Sequence, residues 1–242
     1  MHQFQRTELL IGKNGLEKLQ AAHVAVFGIG GVGGYVVEAL ARTGIGEITL
    51  VDNDDVSLTN INRQIIATHN TIGRSKVEVM AERIASINPD CQTHLHQTFF
   101  LPENASSFNF KDYDYIVDAV DTVAAKIALV LQAQEVNTPI ISSMGTGNKL
   151  NPAMFEVDDI YNTSVCPLAR VMRQTLKKRG VKKLKVVYSK EIPIEQIQDV
   201  ELKENISNEN SSKRAVPGST AFCPPVAGFI IASEVVKDLL KK

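Results

Sequence analysis

Three glycines stand at G-x-G-x-x-G spacing directly after the β-forming run Val24-Ala25-Val26-Phe27: Gly28, Gly30 and Gly33. Glycine permits a tight turn, and its missing Cβ lets phosphate oxygens approach the backbone. The unpaired N–H groups at a following helix start then favour an anion. Val36, Leu40 and Thr43 recur at helical spacing, so the glycines have the strand, turn and helix setting of a dinucleotide-type loop. Asp52 closes the next strand, Glu47-Ile48-Thr49-Leu50-Val51. An acid about 20 residues beyond such a loop is the usual acceptor for ribose hydroxyls. The pattern indicates a nucleotide without saying which one.

Other charged residues fall where the same rim of a sheet would place them. A polar loop, Asn53 to Gln64, follows Asp52 and carries Arg63, either a phosphate ligand or a surface arginine. Lys76 opens a helix whose apolar face is Val77, Met80, Ala81, Ile84 and Ile87 and which Asn88-Pro89 ends. A lysine in a first turn opposes the helix dipole, and a bound anion would offset that cost. Asp121 sits between the strand Tyr115-Ile116-Val117 and the helix after it. It suits a magnesium ion on a triphosphate, a plain helix N-cap, or both. Arg6 to Leu19 reads as one or two short helical pieces in which Leu9, Leu10, Leu16 and Leu19 would cover a core edge, and by itself Arg6 reads as a solvated arginine. His94 and His96 share one face of a strand over Gln92–Thr98, without an evident third metal ligand.

Strands alternating with helices, with apolar strand cores, predict an α/β fold: a doubly wound, Rossmann-like, mainly parallel sheet. The expected organisation is a nucleotide-binding core over 1–150 with a helical lead. A C-terminal part over 151–242, carrying a basic helix, packs on the same domain. That part holds a strand from Met154 to Val157 and a helix from Cys166 to Arg179. A last helix opens at Pro224-Pro225 with Val226, Phe229, Ile230, Val235 and Leu239 toward the core. Gln196 to Ser212 reads as a mobile polar loop, followed by the charges of Lys213 and Arg214. No membrane span and no signal peptide are expected.

The chain has 242 residues and a net charge of −1, so nothing global draws it to nucleic acid. Local charge does. Arg170, Arg173, Lys177, Lys178, Arg179, Lys182, Lys183, Lys185 and Lys190 fall in one stretch without an acid, which reads as a polyanion footprint ahead of the alternative, a solvated helix and hairpin edge. The three cysteines, Cys91, Cys166 and Cys223, form no Cys-x-x-Cys pair, so no zinc and no disulfide framework are expected. That usage suits a reducing cytoplasm.

The ordered set Gly28-Ile29-Gly30-Gly31-Val32-Gly33, Asp52-x-Asp54, Asn60-x-x-Arg63-Gln64, Gly73-x-x-Lys76 and Asp118-x-x-Asp121 resembles the ubiquitin-activating-enzyme-like (ThiF/MoeB-type) adenylating superfamily. The start Arg6-Thr7-Glu8-Leu9-Leu10-Ile11-Gly12, the end Pro224-Pro225-Val226-Ala227-Gly228 and the basic helix are similar to its branch of tRNA threonylcarbamoyladenosine dehydratases. The resemblance implies ATP at the glycine loop, with Gly28, Gly30, Gly31, Gly33, Asp52 and Asp54 around it. By the same analogy Asp52 holds the ribose, and Asn60, Arg63 and Lys76 hold the triphosphate. Asp121 binds magnesium, and Arg6 reaches a phosphate, in the family often across a homodimer interface. It also implies a tRNA partner on Arg170, Arg173, Lys177, Lys178, Arg179, Lys182 and Lys183, and leaves room for a sulfur-transfer partner protein.

The implied reaction is ATP-dependent cyclisation of threonylcarbamoyladenosine beside the anticodon, through an acyl-adenylate. The alternative is adenylation of a ubiquitin-like sulfur-carrier tail. The missing Cys-x-x-Cys pairs, and cysteines that stand where no relay is expected, weaken that alternative.

Overall fold

The structure is a computed structural model that describes residues 1–197 and 217–241. Most of the stretch read as a polar loop, with Lys213 and Arg214, lies outside the described residues.

Among the described residues, seven strands form one sheet in the order β3-β2-β1-β4-β5-β7-β6. They are β1 His23–Phe27, β2 Glu47–Val51, β3 Gln92–His96, β4 Tyr115–Asp118, β5 Ile140–Ser143, β6 Phe155–Asp159 and β7 Lys185–Ser189. All neighbouring pairs are parallel except β6 with β7. Val24 to Phe27, at the centre, have no exposed surface, as expected for a strand covered on both faces. The order reverses between β1 and β4. A crevice therefore opens beyond their carboxyl ends, where Gly28, Asp52 and Ala119 emerge.

Among the described residues the α-helices are α1 Gln5–Gln20, α2 Gly33–Thr43, α3 Lys76–Ile87, α4 Val123–Glu135, α5 Pro167–Lys178 and α6 Cys223–Lys241. One face of the sheet, through Val24, Val26, Ile48 and Leu50, packs on Val36 and Leu40 of α2, Met80 and Ile84 of α3, and Ile231 and Val235 of α6. The other, through Ala25, Phe27 and Val51, packs on Phe100, Phe108 and Phe110 and on Leu129 of α4. A further cluster joins α4, α5 and β7 through Val130, Met172, Leu176 and Val186. The doubly wound expectation holds. Residues 151–197 and 217–241 complete the same sheet and its cover.

Three local readings need correction. α1 is kinked at Gly12 (φ 73°), and Leu9 and Leu10 stand 86% and 88% exposed, so only Leu16 and Leu19 reach the core. α6 buries a face centred away from Phe229. Val235 and Leu239 are buried as expected and Val226 and Ile230 pack on the core's edge, but Ala227, Gly228, Ile231 and Ala232 share the inward side, while Phe229 is 46% exposed and meets the Tyr35 ring edge-on. The cause is close approach: a Cβ on Gly228 would lie 2.6 Å from the Val32 carbonyl oxygen of α2's entry. Finally, β7 lies within the basic stretch, yet it is a buried interior strand between β5 and β6.

Candidate nucleotide site and basic face

The glycine loop is fixed from below by backbone and left open above. Gly28 donates its N–H to the Val51 carbonyl at 2.8 Å and has φ +90°. A Cβ there would meet the Ala119 carbonyl oxygen at 2.7 Å. At Gly33 a Cβ would lie 1.8 Å from the Gly28 carbonyl oxygen, so no other residue closes this turn. Gly30 differs: its nearest neighbour would be Gln64 Nε2 at 3.8 Å. The space a side chain would fill is thus left free beside the amides that open α2. A Cβ on Gly31 would lie 3.4 Å from Arg63 Cγ and 3.2 Å from Pro224 Cβ, which ties the loop to the start of α6.

Asp52 stands at the tip of β2. Its carboxylate accepts the Ile29 N–H at 2.6 Å and the Asp54 N–H at 2.9 Å. Burial pushes the Asp52 carboxyl up, against the pull of Lys76 and of both amides. Each oxygen keeps a lone pair for a hydroxyl donor. Lys76 is 5% exposed. Its Nζ donates to Asp54 at 2.7 Å and lies 3.9 Å from Asp52. Ser75 Oγ and Gln64 Oε1 are buried without a partner among the described residues. Native interiors rarely leave such atoms unsatisfied, which marks a place where a ligand or water completes the bonding.

Arg63 is the most telling cation. Its Nη1 donates to the Thr59 carbonyl at 2.8 Å and to Asn62 Oδ1 at 2.9 Å, both neutral. No carboxylate pairs with it among the described residues. Burial draws its guanidinium below the ordinary value. Asn60 is buried and accepts the Ser57 N–H at 3.2 Å, which shapes the short 3-10 turn Leu58–Asn60 that presents Arg63.

Asp121 is exposed on the rim after β4, and the Thr122 hydroxyl donates to it at 3.3 Å. Thr122, not Asp121, occupies the N-cap of α4, so the plain N-cap reading is wrong. Asp118 turns inward. It accepts Lys126 Nζ at 3.0 Å and the Ser142 hydroxyl, while Lys126 also reaches the Val120 carbonyl at 2.9 Å. Sequence reading passed over Lys126. The available signal was a lone lysine in the apolar run Val123 to Leu131. Arg6 stands apart from this cluster: α1 is anchored by Phe4 against Gly44, at the far end of α2 from the glycine loop.

The basic stretch divides. Arg170, Lys177, Lys178, Arg179, Lys182 and Lys183 are exposed. Arg173 is not part of that face. Its Nη1 donates to the Thr163 carbonyl at 2.7 Å and hydroxyl at 2.6 Å, so it clamps the loop before α5. Lys185 is held by Asp238 at 2.5 Å and Glu234 at 3.1 Å, and Lys190 by Glu156 at 2.7 Å. Lys182 and Lys183 precede β7 and so mark the sheet edge opposite the glycine loop. The face therefore runs the length of α5 rather than converging on the rim.

A doubly wound sheet whose switch point carries a glycine loop, a carboxylate at the tip of β2 and two inward cations defines a nucleotide-binding α/β protein. The chain belongs to the ThiF family, whose model matches residues 4–242. It is 45% identical to the tRNA threonylcarbamoyladenosine dehydratase of Bacillus subtilis, an alignment that covers 100% of this chain and 96% of the relative. Its fold matches the crystal structure of Escherichia coli tRNA N6-threonylcarbamoyladenosine dehydratase, TcdA, in complex with AMP. The TM-score is 0.88 at 35% identity, over 99% of this chain and 94% of that one. The ATP complex of the same enzyme matches with a TM-score of 0.87, at the same identity and coverage.

Proposed function

We propose that this protein is an ATP-dependent enzyme that cyclises threonylcarbamoyladenosine in tRNA through an acyl-adenylate. The full-length likeness to the dehydratases supports the substrate. The observation that carries the chemistry is Arg63: a half-buried cation, bonded among the described residues only to neutral oxygens, laid against Gly31. Such a group gains most from an anion delivered to the loop.

ATP fits this rim. The open space at Gly30 and the α2 amides suit phosphate, and the spare lone pairs of Asp52 suit ribose hydroxyls. Gln64 and Ser75 supply unsatisfied polar atoms. Lys76, bridging Asp54 and Asp52 now, stands where it can exchange one carboxylate for a phosphate. Magnesium fits Asp121, an exposed hard-oxygen donor on the same rim, and when bound would neutralise phosphate charge.

A free carboxylate is a poor electrophile. Its oxygen attacks the α-phosphorus of ATP, pyrophosphate leaves with the broken bond's electrons, and a mixed anhydride with AMP remains. Arg63, Lys76 and Asn60 hold the phosphates in line and stabilise charge spread over their oxygens. A ureido nitrogen of the same substrate then attacks the activated carbonyl, loses its proton and expels AMP. The net change is loss of water. This closure is intramolecular, so it needs no cysteine relay. Cys166 and Cys223 are both buried.

Arg6 lies away from its own rim, so its phosphate contact requires a second copy of the chain, and we propose a homodimer. Arg170, Lys177, Lys178, Arg179, Lys182 and Lys183 form the face for the tRNA backbone, and the reaction takes place in the cytoplasm without zinc at its centre. A sulfur-transfer protein is a further partner in this reading. Among the described residues no helix is long and apolar enough to cross a membrane.

Lys76→Ala and Arg63→Ala should each lower ATP–pyrophosphate exchange with modified tRNA by about 10³-fold or more, by analogy with phosphate-clamping arginines. Near-native exchange in both variants would refute the assignment.

A further inference from the structure

The edge of the sheet opposite the glycine loop carries a cluster that the proposed reaction does not use. His23 opens β1, Glu47 opens β2, and His94 lies in the middle of β3. The register places His23 beside Glu47 and His94 beside Thr49, with all three side chains on one face. Each offers one ligand atom, and these atoms lie within 4.8 Å of one another. Glu47 Oε1 is the shared point, 2.6 Å from His94 Nε2 and 3.4 Å from His23 Nδ1. Ligand atoms around a tetrahedral zinc ion are about 3.3 Å apart, given bonds of about 2.0–2.2 Å. The two distances straddle that value, so small side-chain rotations would match it.

The surroundings prepare the donors. His23 Nε2 is 2.8 Å from the Thr49 hydroxyl, which directs Nδ1 toward Glu47. The Tyr113 ring stands edge-on to His23 at 5.0 Å. Such outer partners fix ring orientation in metal sites. Burial holds the His23 imidazole below its ordinary value, opposed by the Glu47 and Asp114 carboxylates and reinforced by His94. A neutral imidazole is the ligand form. His94 is 47% and Glu47 35% exposed, which leaves a way in and a side open for water.

We propose that His23, Glu47 and His94 form a binding site for a divalent transition metal of the zinc class, clipping edge strand β3 to β2 and β1. Two imidazoles and one carboxylate suit zinc over the hard cations magnesium and calcium. The sequence showed His94 and His96 on one strand face without a third ligand, and His96 takes no part: its ring packs on Phe108 at 5.1 Å. The partners of His94 were invisible because they come from two other strands. The lack of Cys-x-x-Cys argues only against a thiolate knuckle. Strand length separates the cluster from the nucleotide rim by roughly 15 Å.

The test uses the full-length, untagged protein treated with chelator and free of nucleotide. Zinc(II) titrated calorimetrically should bind at one equivalent per chain, and zinc should raise the thermal midpoint. His94→Ala and Glu47→Gln should each weaken binding by about 100-fold or more, beyond what loss of an outer partner usually does. ATP affinity should not change. In the wild type, zinc should also shift the imidazole nitrogen resonances of His23 and His94, a readout independent of how the variants fold. No binding by the wild type, unmoved imidazole resonances, or binding retained in the double variant (an adventitious ion only) would overturn the assignment.

Discussion

Lys126 is a lysine with no exposed side-chain surface, and its charge is met by an equally buried Asp118. Removing one partner of a buried pair strands the other, which typically costs about 3–5 kcal/mol. Lys126→Met should lower unfolding free energy by that order, measured by urea denaturation; a loss below about 1 kcal/mol would contradict it. Nucleotide affinity should fall too, because Lys126 also holds the Val120 carbonyl, beside the turn that abuts Gly28. Residue types out of keeping with their surroundings were the legible ones. The glycines and Asp52 stood out because strand, turn and helix surround them, whereas Lys76 opposes the helix dipole at a position where an exposed lysine is common. Arg173 could not be separated from its neighbours, since a run of charge does not say which guanidinium turns inward. Gln64 could be read only as part of a motif and Ser75 only as a neighbour of Lys76, because an unsatisfied atom is a property of the folded site alone.

Between elements, the clearest electrostatic joint is Glu38 of α2. Arg83 of α3 donates to it at 2.5 and 2.9 Å, and Arg42 at 2.7 Å. Burial pushes the Glu38 carboxyl up, but the two guanidinium groups more than offset this, and it titrates below its ordinary value. A folded value below the unfolded one means that folding favours the ionised acid. The gain is present above the unfolded value, about 4.3, and disappears as pH falls through the folded value. Glu38→Gln should therefore flatten the acid limb of stability between about pH 5 and about pH 3, read as urea midpoints. Parallel wild-type and variant curves would remove the joint from the stability of the α2–α3 pair. Helices with large apolar side chains at regular spacing, such as α3, were readable. The buried side of α6 was only half readable: Val235 and Leu239 are buried, but Gly228 and Ala232 give close approach rather than area, and periodicity weighs size. β7 hid behind its lysines, whose charges sit at its two ends while Val186 to Ser189 are buried.

Over the whole molecule, alternation of strand and helix was enough to give the sheet's architecture, since a βαβ connection has few other solutions. It did not locate the basic residues relative to the rim, because that depends on where β7 inserts. If tRNA lies along α5, removing each phosphate contact should flatten the salt dependence of binding by roughly 0.7–0.9 log units. Neutralising Lys177, Lys178 and Arg179 together should show this in a titration of tRNA affinity against salt. Arg173→Ala should leave the slope intact and lower stability instead. An unchanged slope in the triple variant would move the tRNA elsewhere. One structural feature bears on biogenesis. Pro224 and Gly228 of α6 press on Gly31 and on the Val32 carbonyl, so a segment translated late shores up a loop translated early. A nascent chain that has not yet released α6 from the ribosome holds every proposed phosphate ligand but an unbraced cradle, and domains ordinarily fold as units. A chain cut before Cys223 should therefore bind ATP more weakly than the 242-residue chain, a difference that calorimetry on the two would read.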